Sequence, residues 1–331
     1  MPQHQPSESS LLARLRLRAT GLSARIALPE SGDARVIDAA TRAAQLGLAE
    51  PILIGPKRGG SEAPGVLTLD PEDDDLSSLA LRLAEGTPSR DPEKLLEHLR
   101  DPLHYACALV RDGRADGAVM GAVATTAQTL RAALRTVGVD PRYRVVTSCF
   151  LMEIPPDGRV LVYADCGVLP RPTAEQLVDI AMQTAETYEA LDLGPAKVAL
   201  LSFSTRGSAQ HESLEPVIEA TRLLARRGAP FAFDGELQAD AALVPAIASR
   251  KVRDSPVAGE ANVLVFPDLN SGNIAYKITE RLAGARAIGP LLQGLSKPIH
   301  DLSRGCSADD IVDTMAIAAL DANRSERPSH G

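Results

Sequence analysis

The sequence predicts an α/β protein of two domains, and three observations carry that prediction. The chain has 331 residues, more than one compact core usually organises. Short apolar strands, polar loops containing glycine and amphipathic helices follow one another repeatedly, the signature of βαβ units around a parallel sheet. Beyond Asp140-Pro141 the pattern changes to two strands paired around Pro155-Pro156-Asp157-Gly158, a hairpin signal that puts a domain boundary near Asp140.

The elements follow in order. Leu11 to Thr20 predicts a surface helix with Arg14, Arg16 and Arg18 exposed and Ser9-Ser10 as its cap. Ala24 to Pro29 reads as a strand, Glu30-Ser31-Gly32-Asp33 as a turn, Ala34 to Leu48 as a helix and Pro51 to Gly55 as a strand. Lys57 to Asp75 is rich in Gly and Pro and then acidic, as solvated loops are. Helices are expected over Leu76–Glu85, Pro92–Leu99 and Pro102–Arg111, and a strand over Gly117–Met120. The small residues after that strand, with Thr125, Thr126, Thr129 and Arg131, allow two readings. They receive a phosphate at a helix start, or they cap a helix that carries Arg131 on its surface.

In the second domain Arg144–Glu153 and Arg159–Asp165 form the hairpin, and a helix opens at Pro172-Thr173. The strands Lys197–Phe203, Phe231–Asp234 and Asn262–Phe266 then each run into a polar loop: Ser204 to Ala209, Gly235 to Asp240, and Pro267 to Asn273. In open α/β sheets ligands bind beyond such carboxyl ends. Asp234, Glu236 and Asp240 suit either hydrogen bonding or a divalent cation, and hydrogen bonding is favoured because Asp240 sits beside Ala241 and Leu243. No loop matches a dinucleotide or nucleoside-triphosphate fingerprint.

Composition narrows the function. Hydrophobic residues make up 44% and charged residues 24%, a globular composition. A net charge of −8 with 3% aromatics and no Trp argues against a nucleic-acid partner. Cys107, Cys149, Cys166 and Cys306 are isolated, so neither a zinc site nor a disulfide framework is indicated. No run is apolar and long enough for a bilayer, so no membrane association is expected and the cytoplasm is the expected compartment.

The most informative stretch is K-P-I-H-D-L-S-R-G-C-S-A-D-D-I-V, Lys297 to Val312. Ser307, followed by Asp310 and apolar residues, is a capping-box pattern with an acid in place of the usual Glu. Just ahead of it Ser303, Arg304 and Gly305 gather a hydroxyl, a guanidinium and a permissive backbone where unpaired helix N–H groups favour an anion. That combination points to an anion site with an acid within reach.

The chain resembles the phosphate acetyltransferase (phosphotransacetylase) family. The matching segments are A-D-G-A-V-M-G-A-V (Ala115–Val123), V-Y-A-D-C (Val162–Cys166), P-T-A-E-Q-L (Pro172–Leu177), L-S-F-S-T-R-G-S-A (Leu201–Ala209), D-G-E-L-Q-A-D-A-A (Asp234–Ala242), S-P-V-A-G (Ser255–Gly259), F-P-D-L-N-S-G-N-I-A-Y-K (Phe266–Lys277) and K-P-I-H-D-L-S-R-G-C-S (Lys297–Ser307). The resemblance implies reversible conversion of acetyl-CoA and phosphate into acetyl phosphate and CoA, by direct transfer in a ternary complex. It implies no metal and no bound cofactor, with coenzyme A as a substrate. It also implies a homodimer of two-domain subunits with an interdomain cleft, similar to isocitrate and isopropylmalate dehydrogenases. The domains would be residues 1–139 with 290–331, and 140–289.

Carried onto matching positions, the resemblance makes Ser303, Arg304 and Asp310 catalytic. Arg304 would hold the phosphoryl oxygens, Ser303 would donate to the developing oxyanion, and Asp310 would take the CoA thiol proton. Arg131, Thr129, Ser204, Thr205, Arg206, Asn270, Gly272 and Asn273 would contact substrate or CoA. Three departures bear on substrate preference: a shortened Glu85–Arg100 segment in which Arg90 stands in for a basic residue, His300 in place of Asn, and Ala124 in place of His. Competing expectations are a phosphate butyryltransferase-like enzyme, a non-catalytic module sensing acyl-CoA or acetyl phosphate, and a metal-dependent decarboxylating dehydrogenase using NAD(P).

Overall fold

The computed structural model describes residues 10–56, 64–85 and 91–325. Arg90 and the stretch 57–63 of the expected solvated loop lie outside the described residues. The chain divides into two units, one running to Asp140 and resuming at Leu295, the other Pro141–Gly294.

In the first unit the elements are α1 (Leu11–Ala19), β1 (Arg25–Leu28), α2 (Ala34–Gln45), β2 (Glu50–Ile54), β3 (Leu67–Leu69), α3 (Leu76–Ala84), α4 (Pro92–Leu99), α5 (Pro102–Arg111), β4 (Gly117–Met120) and α6 (Thr126–Thr136). The second unit holds β5 (Thr147–Ile154), β6 (Arg159–Ala164), α7 (Ala174–Ala190), β7 (Lys197–Leu201), α8 (Glu215–Arg227), β8 (Ala232–Leu237), α9 (Ala239–Leu243), α10 (Pro245–Lys251), β9 (Val263–Val265), α11 (Leu269–Ala283) and β10 (Arg286–Gln293). β11 (Ile299–Asp301) and α12 (Ala308–Ser325) complete the first unit.

Helix starts follow the residue chemistry. Asp33, Asp91, Asp101 and Asp268 cap α2, α4, α5 and α11, while Thr125 and Thr173 form reciprocal capping boxes with Gln128 and Gln176. α12 is buried from Ile311 to Leu320 because it packs on α1, α2 and the sheet strands β1, β4 and β11. Ion pairs hold it laterally, among them Arg16 to Asp313 at 2.6 Å and Arg42 to Asp309. Arg14 and Arg18 are exposed as expected of a surface helix, whereas Arg16 is drawn in to meet α12.

The first sheet has the order β11-β4-β1-β2-β3 and is parallel throughout. The chain lays β2 and β3 to one side of β1 and β4 and β11 to the other. β1 and β4 therefore flank the topological switch point, where the loops at the strands' carboxyl ends open a crevice. The second sheet, β10-β5-β6-β9-β7-β8, is antiparallel through β10, β5 and β6 and parallel from β6 to β8. β10 runs through Gly289-Pro290, the expected point of return to the first domain, and stays in this sheet as far as Gln293.

Candidate active site

Three loops meet at the switch point of the first sheet: the one after β1, the one after β4, and the one between β11 and α12. Glu30 lies in the first. Its Oε2 accepts from the backbone N–H groups of Gly121 and Ala122 at 2.9 and 2.7 Å, and its Oε1 from those of Val123 and Ala124 at 2.9 and 2.7 Å. Four successive amides aimed at one point make an anion nest. Here the nest is filled by the protein's own carboxylate.

Arg35, in the first turn of α2, ties the same loops from the other side. It holds Asp33 through Nε and Nη2 at 3.0 and 2.7 Å, and gives its second Nη2 hydrogen to the Ala122 carbonyl at 2.8 Å. Nη1 donates to the carbonyls of Arg304 at 3.0 Å and Cys306 at 2.7 Å. The bond from Arg35 holds the Asp33 carboxyl below its usual range.

Asp301, the last residue of β11, is wholly buried. Its Oδ2 accepts from the Thr126 hydroxyl at 2.6 Å, which ties β11 to the first turn of α6. Among the described residues Oδ1 has no hydrogen-bond partner, and the Thr129 hydroxyl, near enough to lower the carboxyl's pKa, makes no bond of normal geometry. Burial raises the Asp301 pKa to about 6, with Glu30 adding to the rise. Gly121 lets this happen: at φ +107°, a Cβ there would lie 2.4 Å from Asp301 Oδ1 and 2.8 Å from the Leu302 amide.

The residues singled out from sequence stand on the far side of this frame. Ser303 Oγ accepts from the Gly305 amide at 3.3 Å, and Ser303 O accepts from Cys306 N at 2.8 Å, so Ser303–Cys306 is a tight turn. Gly305 is not in a left-handed conformation, and a Cβ there would meet only Ser303 Oγ, at 3.8 Å. The side chains of Ser303 and Arg304 are exposed at the mouth of α12, and Arg304 has no acidic partner among the described residues. Asp310 closes the predicted capping box: Oδ2 accepts from Ser307 N and Oγ, both at 2.8 Å, while Ser307 Oγ accepts from Asp310 N at 3.2 Å. Arg131 is exposed on α6, and Thr129 is fully buried, so Thr129 packs against Asp301 rather than offering its hydroxyl to a ligand. Thr125 caps α6 as one of the two readings expected, and Arg131 lies on the helix surface. Its upstream amides are already occupied by Glu30.

In the second unit the predicted ligand residues mostly bond to each other. Ser204, fully buried, donates to Glu236 Oε1 at 2.9 Å, and Thr205 donates to Gln238 Oε1 at 3.2 Å. Arg206 lies between Asp234 at 2.8 Å and Asp254 at 2.6 Å. Asp240 pairs with Lys251 at 2.9 Å. These bonds account for Asp234, Glu236 and Asp240 as hydrogen-bonding groups, and no cluster of three potential metal ligands occurs among the described residues. Gly272 is a packing position, because a Cβ would come within 2.4 Å of the Asp165 carbonyl. Asn273 Nδ2 donates to the Cys166 carbonyl at 3.0 Å, and Asn270 is exposed.

His300 is buried and meets Asp321 of α12 at 3.0 Å, so its difference from Asn bears on packing. Ala124 contributes its amide to Glu30. All four cysteines are free and buried, and burial pushes the Cys306 thiol up to about 11.

A parallel sheet whose switch-point loops present, at a helix mouth, a serine, an acid and an arginine without an acidic partner among the described residues defines an α/β architecture with a helix N-terminus that favours an anion. The phosphate acetyl/butaryl transferase family model matches residues 10–319. A phosphate acetyltransferase of Acetivibrio thermocellus is 44% identical over 95% of this chain and 98% of its own length. One from Paracoccus denitrificans is 46% identical over 93% of this chain and 98% of its own length. The crystal structure of a phosphotransacetylase from Streptococcus pyogenes superposes with a TM-score of 0.90 at 41% identity, covering 97% of this chain and all of that one. The chain belongs to the phosphate acetyl/butaryl transferase family.

Glu30, Asp33, Arg35 and Asp301 carry no local sequence signal of a place in this site. Glu30-Ser31-Gly32-Asp33 reads locally as a turn, and only its position at the end of a strand at the switch point marks it.

Proposed function

We propose that this chain is an acyltransferase that moves acetyl reversibly between coenzyme A and phosphate. The observation that carries the reading is that the neighbouring side chains of Ser303 and Arg304 are exposed ahead of α12, Arg304 having no acidic partner among the described residues. Phosphate binds there by two-point contact with Arg304, in a field already favourable to anions. In the direction of acetyl phosphate synthesis, a phosphate oxygen attacks the thioester carbon. The carbonyl oxygen gains charge and takes a hydrogen bond from Ser303, the C–S bond breaks, and the departing thiolate takes a proton from Asp310, which recovers one from the attacking phosphate. In the reverse direction Asp310 accepts the thiol proton through Oδ1, the oxygen its cap leaves open.

Arg131 and Asn270 carry exposed side chains suited to CoA. The relatives' names support acetyl over butyryl as the group transferred. A homodimer is supported by α11, which exposes Ile274, Ile278 and Leu282 along one stripe. A cytoplasmic location agrees with the absence, among the described residues, of any helix long and apolar enough to cross a membrane.

CoA release from acetyl-CoA and from butyryl-CoA, each with and without phosphate, tests the reaction. Phosphate-dependent release that is faster with acetyl-CoA is expected. Release independent of phosphate, or binding without turnover, would overturn it.

A further inference from the structure

We propose that Glu30 and Arg35 are positioning residues for the transfer reaction: they set where Ser303 and Arg304 stand without meeting substrate themselves. The inference rests on the reading of Ser303 and Arg304 given above.

Donor counting carries it. A guanidinium has five N–H groups. In Arg35 the single Nε hydrogen goes to Asp33, the two on Nη2 to Asp33 and Ala122 O, and the two on Nη1 to Arg304 O and Cys306 O. No donor is left for a ligand. The two carbonyl acceptors on the final loop bracket Gly305, so Arg35 fixes both ends of the turn that displays the Arg304 side chain.

Glu30 is saturated in the complementary sense. Each of its oxygens takes two amides, and together they fix all four residues between β4 and the Thr125 cap of α6. Because Ala122 gives its N–H to Glu30 and its carbonyl to Arg35, the two side chains grip one peptide segment from both sides. That segment and the Ser303–Cys306 turn are thereby held in one register. The nest that would otherwise recruit phosphate is closed by Glu30, which leaves Arg304 as the anion's contact in this crevice.

The consequence is specific to geometry. Lys at position 35 keeps the charge but presents its donors from one nitrogen, so it cannot span Asp33, Ala122, Arg304 and Cys306 together. Gln at position 30 turns one acceptor oxygen into a donor facing two amides.

The test is steady-state kinetics of the full-length chain with acetyl-CoA and phosphate, for Arg35→Lys, Glu30→Gln, Arg304→Ala and the Arg35→Lys/Arg304→Ala pair, with thermal unfolding as a check on folding. Arg35→Lys is expected to lower kcat by about 10–10²-fold, since misplacement of about an ångström costs that order. KM for CoA should stay within about threefold. In the Arg304→Ala background the further loss from Arg35→Lys should shrink below about threefold, because the group being positioned is gone. Glu30→Gln should repeat the kcat loss if Arg35→Lys folds poorly.

Full multiplication of the two losses would mark Arg35 as independent of Arg304 and overturn the proposal. A raised KM for CoA with unchanged kcat would do the same, by showing that Arg35 binds substrate. Near-normal turnover of Arg304→Ala itself would instead remove the underlying assignment of the site.

Discussion

Replacing Asp301 by Asn should change how stability depends on pH. In the folded chain the Asp301 carboxyl has a pKa of about 6, chiefly because it is buried, which outweighs the hydrogen bonds that lower it, with a smaller rise from nearby Glu30. The ordinary value is 3.8. Below that value both folded and unfolded chains hold the proton and the group costs nothing. As pH rises the unfolded chain ionises first, and the folded chain follows only near pH 6, so stability present in acid is lost between about pH 4 and 6. The gap between 3.8 and about 6, at about 1.4 kcal/mol for each tenfold change in proton affinity, comes to about 3 kcal/mol. Asn cannot ionise, and its carbonyl can still accept from Thr126. Urea unfolding of both proteins between pH 4 and 7 should therefore show the variant gaining about 3 kcal/mol relative to the parent as pH rises. Parallel stability curves would refute the reasoning.

The other predictions test close approach and capping. Gly121→Ala should destabilise the chain by about 3 kcal/mol or more, because it combines a left-handed backbone with a Cβ driven into Asp301 and Leu302. Gly305→Ala, where only Ser303 Oγ lies within reach, should stay within about 1 kcal/mol, and equal losses in denaturant midpoints would contradict the geometry. Ser307→Ala and Asp310→Asn both weaken the α12 cap, each by about 1 kcal/mol. Only Asp310→Asn should also lower kcat, by about 10²-fold. Equal kinetic effects of the two would assign Asp310 to capping alone.

Much of the frame is visible in the sequence because its signals are local. The strands ending at Met120 and Leu201 are short and apolar, and the Thr125, Thr173 and Ser307 caps are written within four residues. β11 carries no strand signal because Ile299–Asp301 is three residues long and holds two polar side chains, which are buried only because α6 and α12 supply partners. β10 was hidden by Gly289 and Pro290, which interrupt its apolar pattern. In the site, Ser303, Arg304 and Asp310 lie together in sequence and read as a unit. Glu30 and Arg35 act on amides and carbonyls about 90 and 270 residues away, a relation no local pattern encodes. The buried places of Thr129, Ser204 and Gly272 likewise depend on contacts from other strands and loops.

The proposed phosphate contact is Arg304 at the start of α12. The direct measurement is phosphate-dependent CoA release by Arg304→Ala, with saturating acetyl-CoA and a folded protein confirmed by its unfolding curve. A fall in turnover of about 10²–10³-fold is predicted, the loss of one preorganised charged contact. Turnover within about threefold of the parent would contradict it.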